Sequence, residues 1–196
     1  MDWLIGLDHK ATLFINSLSG HFPLADKIMM GLANDYFVPV TFSLGLLILW
    51  FARSNIIDRE SRQIAVLRAL VALGLACAIV PLINLWLFRP RPIFELPVNV
   101  LLYTPTDSSF PSNSAAVLFA VAVSIWISDR RAGSLLLIIA TLGAFSRVYV
   151  GMHYTLDVLS GAALGVAIAL LARWLFVAID PILKRALAFA RSIYIA

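Results

Sequence analysis

The run Ser146-Arg147-Val148-Tyr149-Val150-Gly151-Met152-His153-Tyr154-Thr155-Leu156-Asp157 leads without a break into the apolar segment VLSGAALGVAIALLARWLFVA, residues 158–178. A cation, an imidazole and a carboxylate therefore stand at the mouth of a segment long enough to cross a bilayer. Polar groups in such surroundings are costly unless partnered, so the cluster reads as a working site. His153 and Asp157 are four apart. On a helix they share a face, where the carboxylate would hold one imidazole N–H and leave the other ring nitrogen free as a nucleophile or base. Arg147 lies six positions before His153, ahead of a bend at Gly151. It is placed to grip an anion that the imidazole attacks, and phosphate is the natural candidate.

Composition says where this chemistry occurs. The 196 residues are 61% hydrophobic and 13% charged, against about 25% charged in soluble domains. The expectation is an all-α polytopic membrane bundle of about five to six transmembrane helices. Apolar runs bounded by charge or by Gly and Pro place spans near 36–52, 64–88, 113–128, 134–146 and 155–178. The third and fourth are short, which is tolerable where their ends meet a polar cavity inside the protein. The chain divides into an N-terminal interfacial, amphipathic segment 1–35, the bundle 36–178, and a basic amphipathic tail 179–196. The N-terminus, with Asp2, Asp8, His9 and Lys10, lacks the basic region and apolar core of a cleaved signal. Cys77 stands alone in an apolar run, which leaves no disulfide framework or cysteine metal site.

The net charge of +4 marks topology, not a nucleic-acid partner, because the basic residues flank the spans. Arg53, Arg59 and Arg62, then Arg130 and Arg131, then Arg173, Lys184 and Arg185 fall on one face, expected to be cytoplasmic. Residues 89–112 and 147–154 then face outward, as do His9, His21 and Asp35. The outward loop begins Arg89-Pro90-Arg91-Pro92, where each Pro stiffens the residue before it and so fixes two guanidiniums as a phosphate clamp. It ends Ser109-Phe110-Pro111-Ser112-Asn113-Ser114 at the entry to the third span, where backbone N–H groups would face an anion. Ser112, Asn113 and Ser114 are read as phosphate-binding through this stretch, and the side chains of Asn113 and Ser114 also as an ordinary helix cap. Glu95 and Asp107 are read as solvated, and Trp86, Trp126 and Trp174 as interface anchors.

These three elements resemble the signature of the type 2 phosphatidic acid phosphatases, a superfamily that includes vanadium haloperoxidases and bacterial undecaprenyl pyrophosphate phosphatases. That signature is Lys, six residues, Arg-Pro; Pro-Ser-Gly-His; and Ser-Arg, five residues, His, three residues, Asp. The third part is complete in Ser146, Arg147, His153 and Asp157. The resemblance spans about residues 36 to 175 and implies that His153 is the nucleophile, Asp157 its orienter and Arg147 a phosphate ligand. It also implies a bacterial plasma-membrane enzyme with its site outside the cytoplasm, needing no metal or other cofactor.

Two positions depart from the family pattern. Asn84 occupies the Lys position beside Arg91-Pro92, and Arg89 is the expected replacement for the lost charge. In the second part Pro111 and Ser112 match, Asn113 replaces Gly, and Ser114 stands where the family has its general-acid His. Ser114 cannot protonate a leaving group at neutral pH, and His21 is the remote alternative donor. A lipid alkoxide needs an acid to leave, whereas a lipid phosphate does not, so diphosphates are expected to be hydrolysed before monophosphates. Asn84 and Ser114 also raise a competing class, a degenerate member that binds or transports a lipid phosphate without turnover. The expected partners are that lipid phosphate or diphosphate and the membrane, with a homo-oligomer neither required nor excluded by the residues.

Overall fold

A computed structural model describes residues 2–52 and 56–192. Eight helices follow one another: α1 (Asp2–Asn16), α2 (Pro23–Ala33), α3 (Phe37–Phe51), α4 (Ile56–Trp86), α5 (Pro92–Glu95), α6 (Asn113–Trp126), α7 (Arg130–Tyr149) and α8 (Thr155–Ser192). α6 is the centre, packed by α4, α7 and α8. It can be central because it is lined with small residues: Ala115, Ala116, Ala120 and Ala122 are fully buried, and Ala120 packs with Ala72, Ala76 and Ala172. Small side chains let helix backbones approach closely, which is how apolar helices gain contact without a hydrophobic driving force. Gly161 and Gly165 set the α6–α8 distance. A Cβ on Gly165 would meet the Ala116 carbonyl oxygen at 2.3 Å, and one on Gly161 the Ser112 carbonyl oxygen at 2.4 Å.

Large apolar side chains face outward instead, among them Leu47, Ile48, Leu85, Trp86 and Trp174. In water this would be a liability; in lipid it is the expected exterior, and the protein is an integral membrane bundle. Among the described residues three helical stretches are long and apolar enough to cross: Arg59–Trp86, Arg130–Tyr149 and Thr155–Ala178. α2 and α3 qualify together as one span bent by 61°, and α6 is a shorter apolar helix. The fourth expected span, 134–146, is longer than the sequence suggested. Its charged ends belong to the helix: Asp129 caps α7 by accepting from the N–H groups of Arg131 (3.1 Å) and Ala132 (3.0 Å), while Arg147 lies buried in its last turn.

One group of basic residues lies at the end of the bundle away from His153. Arg62 pairs with Asp129 at 3.6 Å, joining the start of α4 to the α6–α7 connection, and Arg68, Ser128 and Arg173 line one cavity there. Arg130 lies 3.5 Å above the Trp126 ring, so that Trp serves as a cation platform. Arg53 lies outside the described residues, as do the side chains of Lys184 and Arg185.

The segment 1–35 carries more of the site than its sequence suggested. α1 rests on α7 and α8 with an inverted pattern: Trp3, Leu7 and Phe14 are exposed, while Asp8, Thr12 and Asn16 are buried. Those three are spaced by four, so they form one polar stripe facing the protein. Thr12 Oγ1 accepts from the Thr155 N–H at 3.0 Å. Asn16 donates to the carbonyls of Asn99 and Tyr149, both at 2.9 Å.

Candidate active site

The site is built where α7 ends. Its helix stops at Tyr149, Gly151 takes φ +80°, and His153 follows before α8 starts at Thr155. A side chain at Gly151 would be strained by that φ and would bring a Cβ within 2.9 Å of the Asn99 carbonyl oxygen. The turn folds back on Arg147, whose carbonyl accepts from the N–H groups of Met152 (3.0 Å) and His153 (3.3 Å). The six-residue spacing of Arg147 and His153 is thus the length of this turn. It delivers both side chains to one polar cavity of about 140 Å³, shared with Asp35, Asn84, Arg91, Tyr103, Asp107, Asn113 and Ser114.

His153 is buried, with Nδ1 2.9 Å from the Ser109 carbonyl oxygen. A carbonyl only accepts, so Nδ1 carries the proton and Nε2 is the unprotonated nitrogen. Burial, then the Arg91 and Arg147 guanidiniums, hold the imidazole pKa well below its ordinary value, and the ring is neutral at physiological pH. Nε2 lies 3.3 Å from Arg91 Nη1.

Asp157 does not hold the imidazole in the way the sequence predicts. Its Oδ2 is 4.0 Å from His153 Nδ1 and accepts instead from Ser109 Oγ at 2.5 Å and from the Tyr154 N–H at 3.1 Å. The reason is that residues 150–154 form a turn, so the helical i,i+4 geometry does not apply. Asp157 is thus linked to His153 only through Ser109, whose hydroxyl donates to the carboxylate and whose carbonyl accepts from Nδ1–H.

Arg89 sits beside the cavity, not in its wall: Nη1 donates to Asp157 Oδ1 and Nη2 to Asp8 Oδ2, both at 2.7 Å, and its guanidinium lies 3.7 Å from the Tyr154 ring centre. Burial opposes its charge, but Asp157 and Asp8 outweigh this and hold its pKa above the ordinary value. With both carboxylates fully buried, Arg89 is their counter-ion.

Arg91 and Arg147 are the cavity's cations. Arg91 donates to the Met152 carbonyl (2.8 Å) and to Asp107 Oδ1 (2.9 Å), and Arg147 donates to Asp35 Oδ1 (2.8 Å). Asp107 is therefore solvated but also paired. Glu95, exposed as expected, accepts from the Tyr154 hydroxyl at 2.5 Å.

At the head of α6 the three residues are placed differently from one another. Ser112 is fully buried, its Oγ faces the Ala115 N–H at 3.5 Å, and its own N–H donates to the Asp157 carbonyl at 3.0 Å; it is the cap. Asn113 and Ser114 line the cavity, in the first turn whose N–H groups have no intrahelical acceptor. Asn84, with its amide turned to suit its neighbours, donates to the carbonyls of Val80 (3.0 Å) and Phe110 (2.9 Å) and supplies no charge. Ser146 is buried and donates to the Gly143 carbonyl at 2.6 Å, a local helix bond.

A second cavity of about 260 Å³ shares Asp35, Asn113, Ser114 and Arg147 with the first, and its remaining wall includes Leu32, Val38, Pro39, Val117, Leu118 and Gly143. It has the character of a headgroup site opening into an apolar groove. Sequence reasoning missed Asp8, Asp35 and Tyr103. Only the i,i+4 polar stripe of α1 signalled the first; no local pattern signals the other two.

Comparison with known proteins places the chain in a family. The chain is 31% identical over 158 residues to the undecaprenyl-diphosphatase BcrC of Bacillus subtilis, covering 80% of this chain and 78% of that protein. It is 30% identical over 169 residues to the bacitracin transport permease protein BcrC of Bacillus licheniformis, covering 86% and 80%. Among solved structures, Aquifex aeolicus LpxE superposes with a TM-score of 0.68 at 26% identity over 83% of this chain and 92% of that one. The PAP2 superfamily pattern matches residues 65–180, the stretch that holds Arg91, Ser112, Arg147, His153 and Asp157, and the chain belongs to the PAP2 superfamily.

Proposed function

We propose that this protein hydrolyses a lipid-linked phosphate, a polyprenyl diphosphate before a monophosphate, through a phosphohistidine on His153. The observation that carries the reading is the neutral imidazole: Nδ1 is committed to the Ser109 carbonyl, and Nε2 points into a cavity holding Arg91 and Arg147. The two guanidiniums bind the phosphoryl oxygens, and the N–H groups at the head of α6 stabilise charge as it develops. Nε2 attacks phosphorus, the bond to the leaving oxygen breaks, and water later cleaves the P–N bond. The cavity offers no imidazole at Ser114 to protonate a leaving alkoxide, which favours a leaving group that is itself a phosphate.

The gathering of Arg62, Arg68 and Arg173 at the far end supports a cytoplasmic assignment for that end and an extracytoplasmic site. A Cys introduced at Asp107, whose side chain is 71% exposed, should react with a membrane-impermeant maleimide on intact cells. Protection until the cells are opened would reverse the orientation.

Preference for the diphosphate is tested through Ser114→His. Phosphate release from a lipid monophosphate should rise by about 10²-fold, and release from a diphosphate by less than about tenfold. Equal turnover of both substrates by the unaltered protein would remove the preference. The rival reading, binding or transport without hydrolysis, rests on Asn84 and Ser114. It predicts that lipid phosphate is retained in an Arg147-dependent way with no phosphate release.

A further inference from the structure

We infer that Asp35 is the general base that takes the proton from the water hydrolysing the phosphoenzyme. This rests on the phosphohistidine reading and completes its second half. In a two-step displacement Nε2 of His153 holds one apical position throughout, so water must enter at the position the departing lipid phosphate vacates. In this proposal the lipid leaves toward the cavity walled by Leu32, Val38, Val117 and Leu118, which suits its apolar chain. Asp35 stands on that boundary, lining both the polar cavity and the groove together with Ser114, Asn113 and Arg147.

Among the other groups there, Ser114 and the two amides cannot accept a proton at neutral pH. Asp107 is bonded to Arg91, the cation that touches the nucleophile itself, and lines only the polar cavity. It therefore lies on the wrong side of the phosphoryl group. Asp35 is held from two directions, by Arg147 on Oδ1 at 2.8 Å and by the Tyr103 hydroxyl on Oδ2 at 2.5 Å. Burial and the Asp35 charge push the Tyr103 pKa up, so the phenol keeps its proton and donates it. Each carboxylate oxygen retains a second lone pair, and the side chain is 43% exposed, so water reaches it. In the step, the water oxygen bonds to phosphorus and its proton passes to Asp35. The P–N bond breaks, and its electron pair returns to Nε2.

The test is rapid-quench kinetics on the full chain in detergent, with a polyprenyl diphosphate labelled on its terminal phosphorus. Asp35→Asn should show a burst of about one lipid monophosphate per protein, then steady turnover about 10²-fold below the unaltered protein, with acid-labile label held on His153. Asp35→Glu keeps the charge opposite Arg147 but moves the carboxylate by one methylene, and should accumulate label to a lesser degree. Label and turnover in both variants equal to the unaltered protein would overturn the inference. So would a burst that slows in step with turnover, since Asp35 would then only be positioning Arg147. Undiminished release by His153→Ala, with no label on any form, would instead bring down the phosphohistidine itself.

Discussion

His153→Ala abolishes phosphate release, by about 10⁴-fold or more, while lipid phosphate still binds. The expectation follows from the division of labour within the cavity. Arg91 and Arg147 supply charge, the head of α6 supplies N–H groups, and Nε2 of His153 supplies the electron pair that replaces the leaving oxygen. Removing a nucleophile costs nearly the whole chemical step, whereas removing one of several binding groups costs a fraction. The pH profile carries a second mark of the same group. Because burial and the two guanidiniums lower the imidazole pKa, protonation that would silence Nε2 begins only well below pH 6.5. The acid limb of kcat/KM, which reports the free enzyme, is therefore displaced downward from that of an ordinary histidine. Turnover by His153→Ala near the unaltered rate, measured as phosphate released from a polyprenyl diphosphate, would remove His153 from the chemistry.

Arg89→Ala unfolds the protein at far milder conditions, losing about 3–5 kcal/mol. Arg89 is the counter-ion of two fully buried carboxylates, Asp8 from α1 and Asp157 from α8, each at 2.7 Å. Without it both charges are stranded, and each must be protonated or find water. Its side chain is 23% exposed, so some solvent reaches the vacated position and the loss falls toward the lower end of that range. A thermal or denaturant melt in detergent measures it. A phosphate ligand would behave oppositely: stability intact, KM raised. That pattern in Arg89→Ala would restore the clamp the sequence suggested and undo the ion-pair reading. Arg91→Ala is the internal comparison, because Arg91 both lines the cavity and touches Nε2.

Local pattern carried the parts of the site whose geometry is set by chain spacing. Arg147 and His153 meet because one turn at Gly151 joins them, and the turn needs only the residues between. The charge at Asp157 was visible, but its role was not, since the sequence offered a helix where the chain turns and the Ser109 carbonyl takes the place reserved for the carboxylate. At the head of α6, Ser112, Asn113 and Ser114 are all competent caps, and a one-residue shift of the helix start exchanges cap for cavity wall. Arg89 and Arg91 are indistinguishable in an Arg-Pro-Arg-Pro run. Their environments differ because Asp8 and Asp157 arrive beside one, and Asp107 and Met152 beside the other.

By itself the sequence determined the solvent and the chemistry of this protein. Apolar runs of membrane length require helices, since lipid offers backbone groups no partner, and Arg147, His153 and Asp157 at the family spacing pointed to a phosphatase. Tertiary structure decided which charges bind substrate and which bind one another. Asp8 meets Arg89 across 81 residues and Asp35 meets Arg147 across 112. Such pairs are formed by packing α1 against α7 and α8, and by the bend between α2 and α3, so no pattern within a few residues specifies them.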